Sequence, residues 1–460
     1  MRPLAWALAA ALALTGCSTA HYAVNPELKK VDGRSGYRLQ RFVALNPDDS
    51  LMLHVSFSGG GLRAATLGLG VLDELRDTRI KWEGVEERLF DQIDIVMGLS
   101  GGSMLTAALA MGGEEGLARF EEALLQGSPQ SDFVHGLMKP SNLWRLSSRN
   151  FGRTDALERF LDDRLFHGAT FEDLARSPKK PFAVIYASDM VTGARFEFVQ
   201  EQFDFLCSDL GGVHLARAVA ASSAVPLVLS PVTLWNYSSK AADKGCGEPQ
   251  LHTAAQLTQR TSRRLVELEA YREHDDSGLR RPFIHLIDGG LADNVGARGP
   301  TDYIGQFGGI IHGARFAGYH RVRRVIFIVV NAETSARTPE DASPHVPGPL
   351  RTALALADIP INRNSDIALN QMRSMQQAWR DEVREAQARG DAAPFEKDIQ
   401  FHLIEVSLEA PGDPLLTEKL RSIPTNLALS PEDIALLREH GRRRLRQSPE
   451  FAAMVEGLKN

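Results

Sequence analysis

A chain of 460 residues with 43% apolar and 24% charged side chains has an ordinary globular composition and enough apolar residues to bury a large core. Its formal net charge of −6 argues against a dedicated nucleic-acid binder and provides no general attraction to anionic lipid.

At the N-terminus, Arg2 is the only charge before a short apolar run, Leu4 to Leu14, which ends in Leu14-Thr15-Gly16-Cys17. The run is too short for a bilayer, which needs roughly 20 apolar residues, and reads as a signal peptide over residues 1–17. Its ending resembles the bacterial lipoprotein signal. That resemblance implies lipidation of Cys17, contact with a membrane through the lipid, and a place in the cell envelope, the outer membrane because Ser18 is not Asp. The alternative is an ordinary secretory signal with a chance cysteine. Residues 18–40 read as a polar tether. The two later cysteines, Cys207 and Cys246, either pair, as an exported chain permits, or stay free thiols. Pairing would close a loop of roughly 40 residues, worth about 4 kcal/mol in the chain-entropy account.

Residues 51–57 alternate with Leu51, Leu53, Val55 and Phe57 on one face, the pattern of a strand. Three glycines follow, then a stretch at 62–76 that is apolar on most sides, as in a buried helix. Ile93 to Met97 predicts a buried strand, and residues 103–111 a buried helix of small side chains. Strand, turn and helix twice over predict a parallel sheet with crossovers. Further strands are expected at 182–187, 195–199, 283–287, 324–330 and 401–406, and a helix at 213–222. Residues 236–280 are polar, hold Cys246 and carry a charged helical run from Ala254 to Tyr271; they read as an insertion on the core. Residues 334–350 read as a surface loop. A long helix is expected from Asn364 to Ala388, and Ser430-Pro431-Glu432-Asp433 starts another, with Pro in its first turn. The fold class is therefore α/β, a mostly parallel central sheet with helices on both faces. Its divisions are a catalytic region at 41–335 with the insertion at 236–280, and a C-terminal helical extension at 336–460.

Three glycine-rich turns carry the candidate chemistry. Gly98-Leu99-Ser100-Gly101-Gly102 fits the G-x-S-x-G nucleophile turn and falls between a predicted strand and a predicted helix, as that motif requires. A tight strand-to-helix turn without chemistry would look similar. Ser58-Gly59-Gly60-Gly61-Leu62-Arg63 offers successive unshielded amides at a helix start, suited to a developing oxyanion. It lacks the lysine of a phosphate-binding Walker loop. Arg63 is suited either to steadying that turn or to meeting a lipid phosphate. Asp288-Gly289-Gly290 ends an apolar strand, where partial desolvation would raise the aspartate's pKa and make it a better base; a structural turn cap is the plain alternative. No HExxH and no clustered Cys/His spacing points to a metal, and no cofactor is expected. His312, His320, His345, His402 and His440 lie late enough in order for a Ser-acid-His triad, but none falls in a glycine-bounded strand-end loop.

Taken in order, GGGLR at 59–63, GLSGG at 98–102 and DGG at 288–290 resemble the patatin-like phospholipases and the related cytosolic phospholipases, over roughly residues 50–335. The resemblance implies a Ser100–Asp288 dyad without histidine, an oxyanion hole at Gly60 and Gly61, and Arg63 in the family's arginine position. It implies hydrolysis of phospholipid or other acyl esters. Ala64 stands where many members have glycine. Residues 188–193 and 218–226 are also similar to the family and read as scaffold. The other functions compatible with these motifs are an acyltransferase or thioesterase with the same dyad, and a silent lipoprotein that binds lipid or a partner.

Overall fold

The structure, a computed structural model, describes residues 20–46, 48–176, 181–240, 245–251, 262–275, 278–334, 344–346 and 348–458. Cys17 and the predicted signal peptide lie outside the described residues, as do residues 254–261 of the charged run in the insertion and most of the predicted loop at 334–350.

An eight-stranded sheet forms the centre. Its strands are β1 (Leu51–Phe57), β4 (Ile93–Leu99), β5 (Phe182–Asp189), β6 (Arg195–Glu197), β7 (Val232–Trp235), β10 (Phe283–Ile287), β11 (Val322–Asn331) and β12 (Phe395–Ser407). The order is β12-β11-β1-β4-β5-β10-β7, with β6 paired to β5. The five strands from β12 to β5 are parallel. Strand β10 runs antiparallel to both β5 and β7. Strands β1 and β4 are buried along their whole length, as expected when helices cover both faces of a parallel sheet. Two short hairpins, β2–β3 (Arg79–Trp82, Val85–Arg88) and β8–β9 (His274–Asp275, Gly278–Leu279), stand apart from the sheet.

Helix α1 (Gly61–Asp77) follows β1, and α2 (Gly101–Phe120) follows β4. Gly113, with φ 55° and ψ −129°, folds α2 back on itself. A Cβ on Gly116 would then collide with the Ala108 carbonyl, so the returning arm packs backbone against backbone. Helix α3 (Leu215–Ser222) is buried throughout and lies against β5. Helix α4 (Pro349–Arg389) is much longer than the stretch expected from Asn364. Its start also takes in the last residues assigned from sequence to a loop.

Two expectations are corrected. The segment from residue 20 to 40 is not a tether along its described length. Asn25 is buried and donates from Nδ2 to Ser208 Oγ at 2.8 Å and to the Trp235 carbonyl at 2.9 Å. Tyr37 joins the core and stacks on Phe182. Nor is the stretch after 336 a purely helical extension. Its β12 is an edge strand of the central sheet, and α5 (Pro431–Arg446) lies along α1. The two helices touch through glycines: a Cβ on Gly70 would meet the Arg438 carbonyl, and one on Gly441 the Leu67 carbonyl.

The described part of the insertion is tied to the body. Cys207 and Cys246 form a disulfide, with Cα atoms 5.5 Å apart. Tyr271 is buried and donates to Asp189 Oδ2 at 2.9 Å, while Asn236 Nδ2 donates to the Tyr271 carbonyl at 2.7 Å.

Candidate active site

Strand register brings the first two motif residues together. Leu99 at the end of β4 pairs with Tyr186 of β5, so Ser100 follows at the level of Ala187. Ile287 at the end of antiparallel β10 pairs with Ser188, so Asp288 reaches the same level from the other side of β5. Two strand spacings, about 10 Å between backbones, separate them, a gap that two short side chains reach across.

Ser100 has φ 48° and ψ −124°, a conformation that non-glycine residues rarely hold. The surroundings enforce it. The Ser100 amide donates to Ser222 Oγ at 2.8 Å, and Ser222 Oγ donates to the Tyr186 carbonyl at 2.5 Å. The Ser100 carbonyl accepts from the Ser103 amide at 2.9 Å and from Ser103 Oγ at 2.5 Å. The glycines leave no alternative: a Cβ on Gly101 would strike the Gly61 carbonyl, and one on Gly102 the Phe57 carbonyl. The two glycine turns thus lie backbone to backbone.

Asp288 is 3% exposed. Its Oδ1 accepts from the Gly290 amide at 2.9 Å, its amide donates to the Ala224 carbonyl at 3.0 Å, and its carbonyl accepts from Ser188 Oγ at 2.7 Å. Oδ2 is buried without a fully formed hydrogen bond. The Ser100 hydroxyl faces the carboxyl and interacts with it. Burial pushes the Asp288 pKa up to about 6, against the lowering effects of the Gly290 amide and the Ser100 hydroxyl. Among the described residues no histidine is bonded to either side chain. His285 contacts Thr233, His402 pairs with Glu450 and His440 contacts the Ser407 carbonyl.

In the first turn, the amides of Ser58, Gly59 and Leu62 donate to the carbonyls of Val330, Asn294 and Asn426. Those of Gly60 and Gly61 donate to no group among the described residues. Gly60 has φ 133° and Gly61 φ 61°, so both use backbone conformations that favour glycine. Arg63 is buried; Nε donates to the Ala332 carbonyl at 3.2 Å and Nη1 to the Ile423 carbonyl at 2.6 Å. Burial lowers its pKa to about 10. These bonds tie the start of α1 to the backbone at Ala332 and Ile423.

Three residues that hold this geometry carried no chemical signal in the sequence. Ser222 and Ser188 lie in the stretches read as scaffold. Asn294 binds the Gly59 amide through its carbonyl, and its Nδ2 donates to Ser365 Oγ of α4 at 3.2 Å. A hydroxyl or amide whose partners are distant in sequence looks like any other Ser or Asn there.

An apolar cavity of about 140 Å³ lies elsewhere, lined by Met52 and Phe327 of the sheet and by Ile304, Ile310 and Ala314. Neither Ser100 nor Asp288 lines it.

A family model described as patatin-like phospholipase matches residues 55–300, more than half of the chain. The chain belongs to the patatin-like phospholipase family. Two fission yeast proteins (Schizosaccharomyces pombe), a probable lysophospholipase 4 and a putative lysophospholipase, are each 33% identical to it over 88 residues, which is 19% of this chain and 13% of theirs. This patatin-like chain therefore matches only a small part of those relatives' length. Human GIVD cytosolic phospholipase A2 is similar over 91% of this chain and 64% of its own, at 12% identity and a TM-score of 0.43.

Proposed function

We propose that the protein is a serine hydrolase of lipid acyl esters, with Ser100 as nucleophile and Asp288 as its base. The observation that carries this reading is a serine in a strained strand-to-helix turn, facing a buried carboxylate, near two glycine amides that donate to no group among the described residues. Asp288, with its pKa raised to about 6, is mostly ionised at neutral pH yet a stronger base than an ordinary aspartate. It accepts the Ser100 proton as Ser100 Oγ attacks the ester carbonyl. The Gly60 and Gly61 amides stabilise the oxyanion. The alcohol leaves with the proton, and a water deprotonated by Asp288 releases the acid from Ser100.

The signal-like N-terminus supports the further reading that Cys17 carries a lipid and holds the enzyme on a bacterial envelope membrane, with phospholipid as substrate. Anchoring raises the effective concentration of a surface substrate without any new contact. Mass of the mature N-terminal peptide tests the anchor: an acylated Cys17 is expected, and an unmodified N-terminus elsewhere would refute it.

The enzyme test is hydrolysis of short and long acyl esters and of phospholipid vesicles by wild type, Ser100→Ala and Asp288→Asn. Activity in wild type and loss in both folded variants is the expected result. Activity that survives Ser100→Ala would place the nucleophile elsewhere. Transfer to an added alcohol or preference for a thioester would select the acyltransferase or thioesterase chemistry.

A further inference from the structure

The helices Pro129–Leu137 and Pro140–Leu146 bury almost nothing. Pro129 is the only buried residue of the first, and the second has none. Yet they expose Val134, Met138, Leu143 and Trp144, each between 47% and 63% exposed. Leu227 and Val228, at 50% and 55%, are exposed on the neighbouring loop, and Arg153 Nη2 donates to the Leu227 carbonyl at 2.9 Å.

This surface adjoins the candidate dyad from two directions. Gln130 Oε1 accepts from the Leu427 amide at 3.2 Å, next to Asn426, whose backbone packs on Gly61. Leu227 lies three residues after Ala224, whose carbonyl accepts the Asp288 amide.

Its charge is also unlike that of the rest of the chain. From Phe133 through Thr154 there is no Asp or Glu, while Lys139, Arg145, Arg149 and Arg153 are present, in a protein of net charge −6. Among the described residues Lys139, Arg145 and Arg149 form no ion pair. Finally, the N-terminal end of the described chain runs here. The Ala20 carbonyl accepts from Ser148 Oγ, and the Tyr22 amide donates to the Asn150 carbonyl, both at 2.6 Å. Ala20 is three steps along the chain from Cys17, a reach of at most roughly 11 Å.

We infer that the paired helices at 129–146, with Leu227 and Val228, are the face that seats on a lipid surface carrying anionic headgroups. Apolar side chains that no protein element covers, a tryptophan among them, suit the boundary between headgroups and acyl chains. Unpaired cations beside them suit anionic headgroups. Seated this way, the turns that carry Ser100 and Asp288 lie toward the lipid, and Ala20, where the described chain begins, lies on the same side. The inference gives the proposed esterase its orientation, but its binding readout needs no activity.

The test uses the full chain and mixed phosphatidylcholine–phosphatidylglycerol vesicles. An environment-sensitive dye is attached at Met138→Cys or, as control, at Lys81→Cys on the β2–β3 hairpin, with labelled wild type as background. Emission from position 138 is expected to shift blue on vesicle addition, less so in high salt, while position 81 stays unchanged. The combined Met138→Asp and Trp144→Asp variant is expected to lose vesicle hydrolysis on the order of a hundredfold, with hydrolysis of a dispersed short ester unchanged. An unshifted dye at 138, or wild-type vesicle hydrolysis by the double variant, overturns the inference. A shift at 138 in a protein that hydrolyses no ester would retain the lipid-binding face and discard the esterase reading.

Discussion

Ser100 and Asp288 are both held in states that a stable fold would otherwise avoid. A non-glycine residue at φ 48° and ψ −124° costs on the order of 1–3 kcal/mol. The Asp288 carboxyl is held at about 6 against an ordinary 3.8. A folded state with the higher pKa binds the proton more tightly than the unfolded chain. Stability from this group is therefore greatest below about pH 4, falls as pH rises toward 6, and is lower by roughly 3 kcal/mol above that. Asp288→Asn is expected to abolish hydrolysis and to melt higher than wild type at pH 7, with the advantage gone at pH 4; melting curves at the two pH values check this. Catalysis runs the other way, since the base must be ionised: kcat/KM should rise through about pH 6. A profile flat from pH 5 to 8 would mean that another group takes the proton. Ser222→Ala removes the acceptor of the Ser100 amide but no reacting atom. It should lower kcat on the order of tenfold with little change in KM. The two residues proposed to react were legible in the sequence because glycine punctuation marks them. Those that surround them, Ser188, Ser222 and Asn294, were not, since their bonds go to backbone or to a distant side chain across long sequence gaps.

Strands were legible where apolar residues run together, whether buried on both faces, as β1 and β4 are, or only in part, as β10 is. β1 and β10 appear with the expected limits, and the strand expected at 93–97 runs on to Leu99. Strand β7 was missed because it is four residues of alternating burial at the end of the sheet. The β2–β3 hairpin was missed for a different reason. Its turn is Glu83-Gly84, both at positive φ, where Asn-Gly or Asp-Gly is the usual signal, and its strands are mostly charged. Direction is harder to read than existence. Nothing in FIHLI shows that β10 runs against β5, and in that orientation its register with β5 sets Asp288 at the level of Ser100. At this scale the α1–α5 contact gives a prediction. Gly441→Leu inserts a side chain where the Leu67 carbonyl stands and should lower the melting temperature by several degrees, far more than Arg446→Ala, which removes a mostly exposed partner of Glu74. Equal losses would mean that charge, not close approach, holds the pair. The disulfide closes a loop of roughly 40 residues, so Cys246→Ser should cost about 4 kcal/mol by chain entropy, read from denaturant unfolding with dyad geometry otherwise kept.

For the whole molecule, the sequence supports an α/β body with a central, mostly parallel sheet, and the structure has one. What it did not show is how far the last third of the chain enters the body. Composition there is charged and helical, which reads as an addition to a finished unit. In the structure β12 closes one edge of the sheet, Ser365 holds Asn294, and Ile423 and Asn426 bind Arg63 and Leu62 through their carbonyls. A Cβ on Gly61 would lie 2.7 Å from the Asn426 carbonyl oxygen, so that backbone forms one wall of the proposed oxyanion turn. The unit recognisable by kinship stops at residue 300, more than a hundred residues before that wall. A shuffled gene joined at this boundary would inherit the proposed nucleophile and base but only part of the wall around the first glycine turn. Changes in chain length that shift Ser365, Ile423 or Asn426 are therefore expected to disturb the first glycine turn, in a region where nothing in the motif marks them as important.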